Sequence, residues 1–360
     1  MRRRQLNQSW PSRVGRDGGF ADTLSFVHRL RLVTFRTLID RIRRAVRSRL
    51  TKKGRLVRRV HAAKAAQAAS QYRYHDDPDI SLLLLSFNHR ENVLPILNGL
   101  RASGAAEIIV CEDGSVDGSH AVWARHLNRP NEFLIRSNDL HEIRSYNRAA
   151  GLARGRLLCI LQDDDIPPEN GRWLSDAVNL FDKYPRLAVL GGHQGYFMDL
   201  RAPRDDVSIR EIYGFREGAE WSHVMPIPWR EPQLGIPFMF VEGVSIGPIF
   251  YRTGVFRDLN GLALDFSQPG ESGILSDHDI SLRAWLAGWQ VAAYGPPAFR
   301  KYVGGQGTVM FNPRSRGRKY RANMQILKDR YLDHIDDIIR EVDELNKTLA
   351  GGPAQKEPDE

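Results

Sequence analysis

Three short apolar runs separated by amphipathic stretches set the organisation of this chain. Residues 80–85 (Ile-Ser-Leu-Leu-Leu-Leu), 106–110 (Ala-Glu-Ile-Ile-Val) and 157–161 (Leu-Leu-Cys-Ile-Leu) are too short for helices and nearly continuous in apolar character. That pattern predicts strands buried on both faces. Between them, residues 91–100 and 141–153 carry apolar side chains at helical spacing. Strand, helix, strand in this order predicts a mostly parallel α/β sheet with right-handed crossovers and helices on both faces. Further along, Gly191-Gly192-His193-Gln194-Gly195 closes another strand, and residues 199–235, rich in Pro, Trp and charge, read as an insertion. Residues 239–244 and 245–251 read as strand around Gly243 and Gly247, with a helix from Thr253. Ile280, Leu282, Trp285 and Leu286 mark another helix. Residues 319–349 read as one long helix with Ile326, Leu327, Leu332, Ile335, Ile338, Ile339 and Val342 on one side. Residues 350–360 carry too little apolar surface to fold and are expected to be disordered.

Charge divides the chain in two. Residues 1–74 hold 20 Lys and Arg against three Asp, a net of +17, whereas the remainder holds 32 basic against 40 acidic residues, a net of −8. The overall +9 therefore describes a basic head on a mildly acidic body. Within the head, residues 22–60 repeat Leu, Val and Ile at helical spacing with Arg between them, residues 61–71 continue as an Ala-rich helix, and residues 72–79 form a linker. Such a basic amphipathic helix fits an anionic membrane surface, with its apolar face down and Arg among the headgroups. Docking on the acidic body is the competing reading. Nucleic acid ranks last, because the head offers charge without an aromatic module for reading bases. No run approaches the ~18 apolar residues of a membrane span, and no apolar stretch follows Arg2-Arg3-Arg4 closely enough for a secretory signal. Two cysteines, Cys111 and Cys159, fall in or beside apolar strands and read as buried free thiols of a reducing compartment. Together these features imply a cytoplasmic protein, peripheral on the inner face of the membrane.

The candidate chemistry gathers where the strands end. In a parallel sheet, ligands bind at the carboxyl ends of the strands. The first run ends at Ser86-Phe87-Asn88-His89-Arg90, the second at Cys111-Glu112-Asp113-Gly114-Ser115-Val116-Asp117-Gly118, and the third at Asp163-Asp164-Asp165. Three adjacent carboxylates stay ionised together most easily around a hard divalent cation. An acidic turn capping the next helix is the plainer alternative. Glu112-Asp113-Gly114-Ser115 supplies a carboxylate, able to accept from a base N–H, on a tight glycine turn; as a sequence it is also ordinary turn chemistry. Arg144 and Asn147 share a helix face at i, i+3, where Arg144 can reach a diphosphate or brace the acidic loop. Of the nearby histidines His89, His141, His193 and His278, none is given a chemical role.

These motifs, in this order over residues 79–305, resemble the family 2 glycosyltransferases of GT-A fold, a Rossmann-like, mostly parallel sheet flanked by helices. The family carries Tyr-Asn-Arg after its first strand, where this chain has Phe87-Asn88-His89-Arg90. It carries Asp-Asp-Gly-Ser-x-Asp-Gly, here Glu112 to Gly118, an Arg/Asn helix ending in Ala-x-Gly, here Ala153-Arg154-Gly155, and a DXD-type strand end, here Asp163-Asp164-Asp165. The resemblance implies a nucleoside-diphosphate sugar donor (UDP-, GDP- or dTDP-linked) bound by Ser86, Phe87, Asn88, Arg90, Glu112, Asp113, Gly114, Ser115, Arg144, Asn147 and Asp163. Asp113 would contact the base and Asp163 the ribose. Mg2+ or Mn2+ would be held by Asp163, Asp164 and Asp165, with Asp164 the principal ligand. It further implies inverting transfer to a hydroxyl of a polysaccharide or lipid-linked glycan. The family's Glu-Asp-x-Asp-Leu reads here Ser276-Asp277-His278-Asp279-Ile280, which implies Asp277 as general base. Ser276 or Asp277 as a helix cap is the alternative, and Asp279 is expected to pair with Arg283 at i, i+4. Many relatives place a His after the last core strand; here Lys301 to Thr308 holds none, so nearby basic residues, Arg300, Lys301, Arg314, Arg316 and Arg318, are weighed as phosphate partners, the last three reading as a solvated loop.

The implied organisation is a basic helical extension (1–75), a glycosyltransferase domain (76–312), a C-terminal helix (313–349) and a tail (350–360). Two other classes compete. A sugar nucleotidyltransferase would want a glycine-rich loop after the first strand, which Ser86 to Arg90 lacks. A non-catalytic nucleotide- or glycan-binding module would keep Asp113 and the triplet yet be indifferent to Asp277.

Overall fold

The computed structural model describes residues 78–104, 107–192, 194–198, 200–201, 209–214, 224–268, 270–296, 300–301 and 313–350, all within one unit, Tyr74–Glu360. The expectations for the basic head, for the 72–77 part of the linker, for most of the 199–235 insertion, for the segment after Lys301 and for the tail lie outside these residues.

An eight-stranded sheet carries the architecture. Its strands are β1 (Ile80–Ser86), β2 (Glu107–Glu112), β3 (Glu132–Arg136), β4 (Leu157–Gln162), β6 (Leu187–Gly191), β10 (Phe238–Phe240), β12 (Ile249–Arg252) and β13 (Gln290–Tyr294), in the order β10-β13-β6-β12-β4-β1-β2-β3. β2 and β4 flank β1 in parallel, β3 continues in parallel beyond β2, and β12 and β10 run antiparallel to their neighbours. The fold is therefore the mostly parallel α/β sheet read from the sequence. Helices α1 (Val93–Ala102), α2 (Ser119–His126) and α3 (His141–Leu152) make the first crossovers, and α4 (Arg172–Lys183) follows the triplet.

β1, β2 and β4 are buried along nearly their whole length, as strands covered on both faces must be. Cys111 and Cys159 are buried free thiols, and burial pushes the Cys111 thiol up to about 12. Register matters more than packing for the site. Ser86 pairs with Glu112, and Leu85 with Gln162. Three strand ends therefore stop level with one another, which brings together polar clusters some 80 residues apart in sequence.

The structure departs from the sequence reading in four places. β3 was not expected, being short and half-exposed, with its three apolar residues set between Glu132 and Arg136. The 239–251 stretch breaks into β10, β11 (Gly243–Val244) and β12, the last two parted where Gly247 turns the chain at φ 100°. The single C-terminal helix is two, α7 (Pro313–Tyr331) and α8 (Ile335–Ala350), so Arg316 and Arg318 stand exposed on a helix and not in a loop. A small second sheet, β11-β7-β8-β9, joins β8 (Ile209–Gly214) and β9 (Val224–Met225) of the insertion to β7 (Gln194–Met198) and β11 on either side of it in sequence. Helices α5 (Thr253–Asp258) and α6 (Ser276–Leu286) and the short pair β5 (Asp165–Ile166) with β14 (Arg300–Lys301) complete the elements used below. No described helix is long and apolar enough to cross a membrane.

Candidate active site at the strand ends

The loops after β1 and β2 are stitched to each other. The Asn88 N–H donates to Ser115 Oγ at 3.0 Å, the Val116 N–H to Asn88 Oδ1 at 2.8 Å, and the Arg90 N–H to Asp117 Oδ2 at 2.8 Å. Glu112 closes its own turn by accepting the Ser115 N–H at 2.7 Å, around Gly114 at φ 89°. Asn88 itself sits at φ 55°. Backbone held in that region costs on the order of 1 kcal/mol or more and persists where surrounding contacts impose it.

Asp113 was expected at a nucleotide base. In the structure it is buried, and its carboxylate accepts the Ser137 hydroxyl at 2.7 Å and the N–H groups of Leu140 at 2.9 Å and His141 at 2.8 Å. It thus caps the N-terminus of α3 from a neighbouring strand, satisfying donors that the helix cannot satisfy itself. Arg144 and Asn147 also reach protein partners. Arg144 Nη1 donates to the Ser267 carbonyl at 2.8 Å, and Asn147 exchanges two hydrogen bonds with the Leu262 backbone at 2.8 and 2.9 Å. Arg144 thereby helps hold the 262–267 segment against α3.

The triplet divides into three different environments. Asp163 accepts the Phe87 N–H at 2.6 Å on one oxygen and lies 3.0 Å from His89 Nδ1 on the other, while its carbonyl accepts from Asn92 Nδ2 at 2.8 Å. Burial pushes the Asp163 carboxyl above its ordinary value despite His89, and the Asp163 contact raises His89. Asp164 is half-buried in the turn. Asp165 is buried, accepts the Gln162 N–H at 2.9 Å, and lies against Gly247. Among the described residues no group of three or more His, Cys, Asp or Glu side chains could hold a metal ion. The expected cage of Asp163, Asp164 and Asp165 is therefore not preformed: two of its carboxylates face protein donors, so the residues as they stand do not fit a three-ligand site.

Asp277 lies across from the triplet. Leu275, at φ 69°, is the N-cap of α6, so neither Ser276 nor Asp277 stands at the cap position, although Asp277 takes one first-turn N–H. Asp277 Oδ1 accepts the His278 N–H at 3.0 Å and faces His278 Nδ1 at 2.9 Å; Oδ2 accepts the Ile246 N–H at 3.2 Å. Burial pushes this carboxyl up, but His278 and the two backbone donors outweigh it and hold it below the usual carboxylate range. Two residues on, Asp279 is fully buried between Arg283 and Arg330, including the expected i, i+4 pair at 2.8 Å. Glu142 reaches from α3 to the Gly273 N–H at 2.6 Å, and burial pushes it above its ordinary value.

One segment joins the two halves. Ile246 gives its N–H to Asp277, and the next residue, Gly247, packs on Asp165. His89 and His278, named near the site in the sequence but given no role there, are each set against a site carboxylate. The available signal was position: one follows the first strand within the motif, and the other is the residue after the proposed base.

The family description "Glycosyl transferase family 2" matches residues 81–234. No curated protein matches the chain. Among solved structures, TarS 1–349 of S. aureus in complex with UDP-GlcNAc is similar at 16% identity and a TM-score of 0.46, over 75% of this chain and 73% of that one. The mannosyltransferase PcManGT of Pyrobaculum calidifontis, in complex with GDP-Man and Mn2+, is similar at 12% identity and a TM-score of 0.43, over 82% of this chain and 83% of that one. The matched stretch, residues 81–234, holds the motifs at the ends of β1, β2 and β4, and over that stretch the chain is similar to the family 2 glycosyltransferases.

Proposed function

We propose that the protein is an inverting glycosyltransferase that moves a sugar from a nucleoside-diphosphate sugar to a hydroxyl of a polysaccharide or lipid-linked glycan. The observation carrying this reading is the 246–247 segment, which bears Asp277 through Ile246 and abuts the acidic triplet through Gly247. A base candidate and the acidic strand end thereby lie on either side of one short stretch, as transfer between donor and acceptor requires.

In this reading the donor lies over the ends of β1, β2 and β4, along the stitched loops of Asn88, Ser115 and Arg90. Asp277, held ionised at neutral pH, takes the acceptor hydroxyl proton. The acceptor oxygen bonds to the anomeric carbon, and the bond from that carbon to the phosphate oxygen breaks, its electron pair leaving with the diphosphate. A proton acceptor on the acceptor face, opposite the departing phosphate, is what inversion needs. Mg2+ or Mn2+ enters the reading only as a companion of the donor diphosphate beside Asp164, since the carboxylates do not form a cage by themselves. Peripheral attachment through residues 22–60, on the cytoplasmic face of a membrane, fits a lipid-linked acceptor.

The test is a donor screen. Purified protein is incubated with UDP-, GDP- and dTDP-sugars and Mn2+ or Mg2+, with and without chelator, and released nucleoside diphosphate is measured. Release from one donor class, lost in Asp277→Asn while nucleotide binding persists, is expected. Nucleotide binding with turnover that Asp277→Asn leaves unchanged sinks the assignment of the base, and absence of nucleotide binding sinks the whole reading.

A further inference from the structure

Asp277 and His278 are consecutive residues in the first turn of α6, and consecutive helical side chains do not ordinarily face each other. Here they do. The imidazole Nδ1 lies 2.9 Å from Asp277 Oδ1, the same oxygen that accepts the His278 backbone N–H at 3.0 Å. Oδ2 is left with one long hydrogen bond, 3.2 Å from the Ile246 nitrogen. The ring is fixed from two other elements. It packs on Tyr196 of β7 with ring centroids 4.7 Å apart, and a β-carbon on Gly243 of β11 would stand 3.7 Å from its Cδ2. His278 is only 6% exposed, and its Nε2 is buried with no hydrogen-bond partner among the described residues.

Those facts fix where the proton sits. An ionised carboxylate oxygen can only accept, so Nδ1 beside Oδ1 must be the donor. Among the described residues a proton on Nε2 would be a buried donor without an acceptor, which proteins avoid. The geometry therefore calls for a ring with Nδ1–H.

We infer that His278 is a positioning residue for Asp277: its Nδ1–H, donated to Oδ1, locks the carboxylate so that Oδ2 is presented to the acceptor hydroxyl. The inference rests on the reading of Asp277 as base given above. During transfer the acceptor proton moves to Oδ2, the acceptor oxygen bonds to the anomeric carbon, and the diphosphate leaves with the electron pair. The imidazole proton stays on Nδ1 throughout, so His278 orients and does not relay.

Two measurements test this on the full chain. The first is long-range proton–nitrogen NMR of protein labelled with 15N at histidine, His278 being assigned by the ring signals lost in His278→Asn. A Nδ1–H ring is expected, changing in Asp277→Ala; a Nε2–H ring in the wild type overturns the inference. The second is kinetic, using nucleoside-diphosphate release from whichever sugar donor of the screen the wild type turns over. The amide of Asn places an N–H near Nδ1, whereas that of Gln places it near Nε2. His278→Asn is expected to keep kcat within roughly threefold, and His278→Gln and His278→Ala to lose on the order of 10-fold to 100-fold with donor KM unchanged, the scale of a misplaced reacting group. Rescue by Gln and not Asn, or three variants all equal to wild type, overturns it. Melting temperatures of the three variants separate misfolding from misplacement. If the wild type turns over no donor, the base reading itself fails; a Nδ1–H ring then leaves a structural pair, and the positioning role falls with the base.

Discussion

Gly247 lies so close to Asp165 that a β-carbon at position 247 would stand 2.3 Å from Asp165 Oδ2. The glycine also sits at φ 100°, where side-chain-bearing residues are strained. Two independent costs therefore meet at one position: steric overlap with a buried carboxylate and an unfavourable backbone. Gly247→Ala is expected to destabilise the fold by about 2–4 kcal/mol, at the upper end of single substitutions. Because the same segment carries the Ile246 N–H that Asp277 accepts, nucleoside-diphosphate release should fall further than the loss of folded protein accounts for. Thermal melts and turnover per folded molecule check this; a variant as stable and active as wild type would show that the segment yields easily.

Asp113, which the resemblance sets at a nucleotide base, also has protein partners of its own. Its carboxylate accepts three hydrogen bonds, two of them from the first N–H groups of α3. Asp113→Asn keeps one acceptor oxygen and puts an amide donor where the other accepted, against an N–H. A loss of about 1.5–3 kcal/mol is expected, the range for a charged hydrogen bond removed from a buried partner. The informative measurement is the urea midpoint without nucleotide. A base contact alone would leave that midpoint unchanged and weaken only nucleotide binding.

What could be read from the chain, and what could not, follows from range. Leu82 to Leu84, Ile108 to Val110 and Leu157 to Leu161 are fully buried strands, and their apolar runs are local signals. Strand ends in a parallel sheet converge by topology, so placing the Ser86, Glu112 and triplet clusters together needed no side-chain detail. The partners of those residues did. Asp163 meets Phe87 and His89 across more than 70 residues, and Asp113 caps a helix 28 residues away, contacts that leave no periodic trace. The helix break at 332–334 was hidden because Leu332 keeps the apolar spacing although it is 42% exposed.

Glu132, on the strand the sequence did not announce, predicts a pH dependence. Arg101 grips it through two bonds of 2.7 Å, and the N–H groups of Asn128 and Arg129 add bonds of 3.0 and 3.1 Å. Burial pushes the carboxyl up, but these donors outweigh it and hold it below its ordinary value. A carboxyl depressed in the folded state stabilises fully above its unfolded value, near 4.3 for Glu, and loses that contribution as pH falls through the folded value. Glu132→Gln should thus be less stable than wild type by about 1–3 kcal/mol at neutral pH, and the gap should close on acidification. Melting temperatures of both proteins from pH 7 to pH 3 check the sign; a gap constant with pH would mean that packing, not charge, holds β3.

Asn346 makes the last prediction, and it concerns how the sheet ends. Among the described residues the one strand that pairs with β10 is β13, so its outer side is an edge, and an unprotected edge invites pairing with another chain. The Trp229 carbonyl takes the Phe238 N–H on that side, and one side chain of α8 covers the next outward position, Phe240. The Phe240 N–H donates to Asn346 Oδ1 at 2.9 Å, and Asn346 Nδ2 donates to the Phe240 carbonyl at 2.8 Å. Ile338, Val342 and Leu349 bury the same helix against the domain, so α8 packs back on its own chain. Only Asn can serve both backbone groups at this reach. Asn346→Leu keeps the volume but orphans a buried donor and a buried acceptor, at about 1–3 kcal/mol each. Asn346→Asp keeps the acceptor for Phe240 N–H but sets a carboxylate against its carbonyl, and should be at least as damaging. Both variants should also scatter light on heating sooner than wild type if the exposed edge pairs between molecules. Lower melting temperature without earlier scattering would assign Asn346 to local stability alone; unchanged melting in both would show that the apolar face of α8 suffices to hold the edge.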